Sequence, residues 1–281
     1  MTSGDAVQKS PRYSIAIVCK GTAMVNETRH LIQQWHPTEN VDTFVRRVQA
    51  EDLLGRQTAQ RAKDIARKVF AARFLLPNNK PARLLKQIVE AGLPHKTFVE
   101  ILFLFACRAD NLLYDFTLNI YWAAVAQRRK KIFTQDVLDF FESAAVDGRI
   151  LSPWSEGTQV RTARGLLATL RDVGFLRNVS HGKSEREIVP YYISDEGVAC
   201  LARYLHESGI SNSALCEHRD WSLFGLNREQ VCDRLDQLGE HRGLIIQKAG
   251  SVVSITWKIN FMEELINPTF RTSISSISKL R

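Results

Sequence analysis

The chain has 281 residues, with 38 Lys+Arg against 30 Asp+Glu and an apolar share of 44%. That apolar share is enough to bury a core and excludes wholesale disorder, and the length predicts two domains or three small ones. The five cysteines (Cys19, Cys107, Cys200, Cys216 and Cys232) are few, odd in number and scattered, which excludes a disulfide scaffold and predicts reduced, buried thiols in a cytoplasmic protein.

The net charge of +8 is unevenly placed. Residues 1–148 carry 21 basic and 15 acidic groups, whereas 149–210 carry 8 and 7, and 211–281 carry 9 and 8. Within 55–86, nine basic side chains (Arg56, Arg61, Lys63, Arg67, Lys68, Arg73, Lys80, Arg83 and Lys86) meet the single acid Asp64. Charge runs are commonly solvated faces, but one so poor in acids has a polyanion as its natural counter-charge. The N-terminal stretch is polar and lacks the apolar core of a secretory signal, so residues 1–20 read as an arm. The most apolar segment, Phe98–Cys107, contains Glu100 and is followed at once by Arg108, Asp110 and Asp115. It is expected to be a core helix rather than a membrane span.

Helices are predicted over 26–35, 40–53, 58–75, 81–91, 95–109, 111–127 and 134–146, punctuated by Pro37, Pro77-Asn78-Asn79, Gly92-Leu93-Pro94 and Gly148. No stretch here alternates with a period of two, so residues 21–148 are expected to form an all-helical domain. Thr134 with Asp136 predicts a capped helix start. In the 58–75 helix, a spacing of 100° per residue puts Ala59, Ala62, Ile65, Ala66, Val69, Phe70 and Ala72 on one side. Arg61, Lys63, Arg67 and Lys68 project from the opposite arc, in line with Arg56.

Residues 149–210 read as a winged-helix-like domain. A helix over 156–173 ends at Gly174, then strands over 175–180 and 187–193 flank a polar tip at 181–186. Val160, Ala163, Leu166, Leu167, Leu170 and Val173 cover one arc of that helix, and Thr158, Arg161, Arg164, Gly165, Ala168 and Arg171 the other. Arginines separated by small residues suit an approach to a phosphate backbone or a major groove, with Lys183 and Arg186 at the wing tip within reach of neighbouring phosphates. A helix over 194–208 follows.

Residues 211–266 repeat the pattern as a second winged-helix-like module. Asn227 with Gln230 predicts a capping box, and strands are expected over 244–248 and 252–259. Its outer helix face carries Glu229, Asp233, Asp236 and Glu240, which phosphate would repel, so a structural or protein-binding role is expected. Residues 267–281 read as a tail.

Motifs for nucleotide binding, nucleophilic catalysis or metalloprotease chemistry are absent from the sequence. Gly55-Arg56-Gln57-Thr58 at a helix start suits one phosphate but lacks the rest of a nucleotide site. Cys200, His206, Cys216, His218 and Cys232 lack zinc-ligand spacing and are expected in the core. Asp110 and Asp115 read as caps or ion-pair partners rather than an acid/base pair. The sequence therefore predicts a protein without catalytic, cofactor or metal residues.

The series Gly21-Thr22-Ala23, Asn26-Glu27-Thr28, the segment 52–69, the helix 98–110 and the segment 154–176 resembles the BrxA family of BREX (bacteriophage exclusion) phage-defence systems over residues 13–206. The resemblance implies a helical bundle similar to the RNA-binding factor NusB, joined to a winged helix that binds double-stranded DNA. The second winged-helix-like module lies beyond it. The expected fold is mainly α with short β-hairpins. The expected function is non-catalytic duplex DNA binding through Arg56, Arg61, Lys63, Arg67, Lys68, Thr158, Arg161, Arg164, Arg171, Lys183 and Arg186. Other BREX subunits are the expected further partners, with homodimerisation left open and no membrane. A protein adaptor is the alternative, and RNA binding by analogy with NusB ranks third.

Overall fold

The predicted helices form as α1 (Val25–Gln34), α2 (Val41–Ala50), α3 (Ala59–Asp64), α4 (Lys80–Glu90) and α5 (His95–Ala109), with a π-helical run, Ile65–Leu75, continuing α3. The computed structural model describes residues 12–15, 23–55, 57–179, 182–239, 244–249 and 252–258. Arg56, the side chain of Lys183, the wing-tip His181 and the 267–281 tail lie outside the described residues. Local chemistry sets the helix starts. Asn40 accepts the Thr43 N–H at 2.8 Å and Thr58 the Arg61 N–H at 3.2 Å, as short polar N-cap residues do.

Helix α5 is the hub. Every residue from Thr97 to Cys107 is buried, as expected of a helix apolar on all sides. It packs on α4, on the π-helical run and on two later helices, α6 (Asn111–Phe116) and α10 (Asp195–Glu207).

The single helix expected over 58–75 changes character at Ile65, where the π-helical run begins. Its bonds span five residues, as in Leu76 N–H to Ala71 C=O at 3.0 Å, so side chains drift from the 100° spacing. Arg73, counted with the basic run, shares the apolar arc by its spacing from Ala66 and Phe70 and is 2% exposed, while Ala59, expected to pack, is exposed on the first turn of α3.

After α6, a second π-helical run (Thr117–Trp122), α7 (Ala123–Ala126), β1 (Lys131–Phe133), α8 (Thr134–Val146), α9 (Glu156–Asp172), β2 (Leu176–Val179) and β3 (Gly182–Ile188) follow. Strand β1 corrects the all-helical expectation for 21–148. It pairs antiparallel with β3, giving the sheet order β1-β3-β2, and α8 packs on α9. Three residues are too few for an alternating pattern to register in sequence.

The hairpin is also tighter than expected. The second strand occupies 182–188 rather than 187–193, so Ser184, Glu185 and Arg186 are strand residues and not a tip, with Glu185 and Arg186 in the ladders. Glu185 pairs across the sheet with Lys131 at 2.9 Å, and the neighbouring Glu187 with Arg177 at 2.5 Å. At the start of α8 the expected Thr134 cap shifts by one residue. Asp136 accepts the Phe133 N–H at 2.7 Å, while the Thr134 hydroxyl donates to the Ser184 carbonyl at 3.0 Å.

Beyond α10 come α11 (Asn212–Leu215), a 3-10 turn (Arg219–Phe224), α12 (Arg228–Leu238), β4 (Leu244–Ala249) and β5 (Val252–Trp257). The Asn227/Gln230 capping box forms, both bonds at 2.9 Å. Arg108 on α5 pairs with Asp220, its Nε donating at 2.7 Å, and the Trp122 indole donates to the Leu223 carbonyl at 3.0 Å. These contacts fix the C-terminal module to the body. Tyr13 is tied to the body as well, since its hydroxyl donates to Asp115 at 2.7 Å and its N–H to the Arg149 carbonyl at 2.9 Å.

One close approach has a measurable consequence. A Cβ added at Gly197, on the first turn of α10, would lie 2.2 Å from an oxygen of the fully buried Glu100 and 2.9 Å from Ile193. That oxygen belongs to a carboxylate fixed by the Ser194 N–H at 2.7 Å, so it has little room to yield. Gly197→Ala is expected to cost about 2 kcal/mol in urea unfolding, because overpacking outweighs the ~1 kcal/mol helix preference for Ala.

Candidate nucleic-acid interface

Helix α9 packs its Thr162, Ala163, Leu166, Leu167, Thr169 and Leu170 face on α8 and β2. The opposite face presents Arg161 and Arg164, both exposed and without an ion pair or hydrogen bond among the described residues. Gly157, Gly165 and Ala168 lie within four residues of one or other arginine and are too small to cover it. Thr158 sits in the N-terminal cap, its hydroxyl 2.9 Å from that of Ser155.

At the other end of α9, Arg171 donates to Asp172 at 2.6 Å. Asp172 itself lines a cleft of about 400 Å³ with Asn26 and His95, at the starts of α1 and α5, where helix dipoles favour a carboxylate. Arg186 lies near Arg171, and burial together with that like charge lowers its pKa from the ordinary guanidinium value. Its Nη1 donates to the Glu185 carbonyl at 2.7 Å. Arg171 and Arg186 therefore form a second, partly buried cationic pair beside the hairpin.

The ridge on α3 and its π-helical continuation is less basic than its sequence. Arg67 pairs with Asp42 from α2, and Lys68 with Asp64 at 2.9 Å. Lys63 is exposed and Arg61 partly so, neither with a side-chain ion pair among the described residues. The ridge packs through α2 and the π-helical run, whereas α9 packs through α8 and β2, so their main packing partners do not overlap. The α9 face emerges as the better-formed cationic surface.

Sequence reasoning passed over Arg128-Arg129-Lys130-Lys131, four consecutive cations that follow α7. Their signal was visible as the densest basic run in the chain. Arg128 and Lys130 are exposed, while Arg129 is held by Asp136 at 2.7 Å and Lys131 by Glu185.

The residues considered for other chemistry have structural tasks. Asp110 caps α6, accepting the Leu112 and Leu113 N–H groups at 3.0 and 3.3 Å, and Asp115 joins Tyr13 and Arg149. Cys107, Cys200, Cys216 and Cys232 are buried and joined in no disulfide, and no group of three metal-ligating residues occurs among the described residues. No helix among them is long and apolar enough to cross a membrane.

No curated protein matches the chain. Among solved structures, an uncharacterized protein from Magnetospirillum magneticum is similar in fold, with a TM-score of 0.54 and 19% identity. The similarity covers 71% of this chain and 94% of that one. The BrxA family profile matches residues 11–204, which takes in α1 to α9, the three-stranded sheet and most of α10. The chain belongs to the BrxA family and is thereby a component of a BREX phage-defence system.

Proposed function

We propose that this BREX component binds double-stranded DNA without catalysing a reaction on it, and that α9 is the element laid against the duplex. Helices α6 and α7, strand β1, helices α8 and α9, and the β2–β3 hairpin follow the order of a winged helix. In that reading the unit begins near 111 and so straddles the boundary expected at 148. The observation that carries the proposal is the pair Arg161 and Arg164, exposed and unpaired among the described residues on the outward face of a helix whose other face is buried. Lys63 and Arg61 are auxiliary phosphate contacts, and Arg67 and Lys68 contribute less because Asp42 and Asp64 oppose them. Arg186 extends the surface toward the hairpin, while the expected contacts of Arg56 and Lys183 fall outside the described residues. Binding through phosphates is sequence-independent, since these contacts fix position without reading bases.

The test is the salt dependence of duplex binding by fluorescence anisotropy. The log affinity falls by ~0.9 per unit log salt for each phosphate neutralised, so Arg161 and Arg164 together account for a slope of about −1.8. Their replacement by Ala is expected to reduce the slope by that amount, and a wild-type affinity indifferent to salt overturns the proposal. The acidic outer face of α12, with Glu229, Asp233 and Asp236 exposed, favours a second reading for the C-terminal module. It would dock a basic surface of another BREX subunit, checked by co-purification with and without residues 211–281.

A further inference from the structure

A groove of about 640 Å³ opens between the second π-helical run, the chain leaving β3 and the C-terminal module. Its aromatic lining includes Tyr121, Trp122 and Tyr192, and its cations include Arg128, Lys130 and Arg234. Tyr192 is 73% exposed, and its carbonyl accepts from Lys96 Nζ at 2.6 Å. Trp122 is fixed. Its indole donates to the Leu223 carbonyl, and its ring occupies the space above Gly225 that a Cβ would need, at 2.4 Å. The groove thus pairs a Trp122 ring held in place with a Tyr192 ring open to solvent.

Its charge is one-sided. Glu187 is the acid lining it and is committed to Arg177 at 2.5 Å, while Arg234 is held by Asp195 at 2.7 Å. Arg128 and Lys130 remain exposed and make no ion pair among the described residues. Arg128 also holds a left-handed backbone, φ 57°, at the end of α7. Its N–H donates to Val125 and that of Arg129 to Ala124, both at 2.9 Å, in the pattern that usually places glycine there. A cation kept at a glycine position, beside a π-helical segment of the kind that recurs at functional sites, is a local departure from the most stable choice.

The geometry points to a binding site for an unpaired DNA strand, with a base stacked on Tyr192 and the flanking phosphates held by Arg128 and Lys130. Stacking platforms beside cations are how single strands are held without sequence preference. The volume suits one or two nucleotides rather than a duplex, which is about 20 Å across by general geometry and needs an open face. The choice of DNA rests on the duplex-binding reading above, while the groove is separate from α9. One of its walls, Phe224 to Arg234, lies beyond the family match at 11–204, so the site depends on this chain's C-terminal module.

The experiment measures anisotropy of a fluorescein-labelled ten-nucleotide oligo(dT), the corresponding oligo(rU) and a duplex, using the full chain. Tyr192→Ala is expected to weaken oligo(dT) binding at least fivefold with duplex binding unchanged, in line with the stacking of one base. Tyr192→Trp is expected to retain binding. Arg128→Gly is expected to melt no lower than the wild type, because glycine suits that backbone, yet to lose oligo(dT) affinity. Arg161→Ala with Arg164→Ala should give the converse, a loss of duplex binding with oligo(dT) retained. If the wild type binds duplex but not oligo(dT), or if Tyr192→Ala and Arg128→Gly leave oligo(dT) affinity unchanged, the groove proposal is overturned while the duplex reading stands. Tighter binding of oligo(rU) than of oligo(dT) overturns the assignment to DNA.

Discussion

Reversing Arg161 and Arg164 to Glu is expected to lower affinity for duplex DNA about a hundredfold with no change in unfolding midpoint. Each charge-assisted hydrogen bond to phosphate is worth at least ~1.5 kcal/mol, so losing two costs ~3 kcal/mol, which is about two decades of affinity. The fold should be indifferent, because both side chains are exposed and neither is committed to a partner among the described residues. Lys63→Glu is the internal comparison. Lys63 is equally exposed but lies on a ridge where Asp42 and Asp64 already offset two neighbouring cations, so a loss of threefold or less is expected. Equal losses from the two surfaces would show that the ridge shares the site, and an unchanged affinity for the α9 variant would remove that helix from it. Mobility-shift titration at low salt, where surface electrostatics are largest, gives the widest window.

The second large effect concerns a charge pair that does no binding. Replacing Arg73 with Met is expected to cost about 3 kcal/mol in urea unfolding, because it leaves Asp110 buried beside α5 without its countercharge. Burial holds the Arg73 guanidinium down to a pKa of about 10, even though Asp110 favours its charged form. Burial likewise raises the Asp110 carboxyl from 3.8 to about 6, with backbone bonds from Leu113 and Leu112 and the charge of Arg73 acting the other way. Desolvation thus exceeds the mutual attraction of the two groups. Arg73→Met combined with Asp110→Asn should therefore recover most of the loss, since Asn still accepts the cap bonds of α6 and no charge remains buried.

The pH dependence has a fixed sign. The unfolded carboxyl ionises near 3.8 and the folded one near 6, so the stability Asp110 contributes is full below pH 3.8 and is lost as pH rises to about 6. Asp110→Asn removes that fall. A wild-type profile flat across this range, or a double variant no more stable than Arg73→Met, would contradict the account.

By itself the sequence determined what depends on neighbours a few residues away. The helices at 25–34, 80–90, 95–109 and 134–146 lie within about a residue of their predicted limits, because a 3.6-residue apolar period and short polar caps act locally. The Asn227/Gln230 box and the exposed α9 arginines belong to the same class. The burial of Phe98–Cys107 was legible too, since a helix apolar on every side has nowhere else to go.

Tertiary structure decided what depends on residues distant along the chain. Arg67 meets a carboxylate 25 positions away, and Lys131 one 54 positions away. No spacing rule reaches that far, so a ridge that reads as almost wholly basic becomes half-compensated. Strand β1 exists because β3 completes its hydrogen bonds, not because three residues favour extension. Arg73 falls on the apolar arc by spacing alone, but its countercharge there, Asp110, lies 37 positions along the chain. The aromatic groove likewise appears only when the chain near 121, 192 and 230 is folded together. Local periodicity fixes which side of a helix is apolar, but the charge that reaches solvent is settled by whatever the fold brings alongside it.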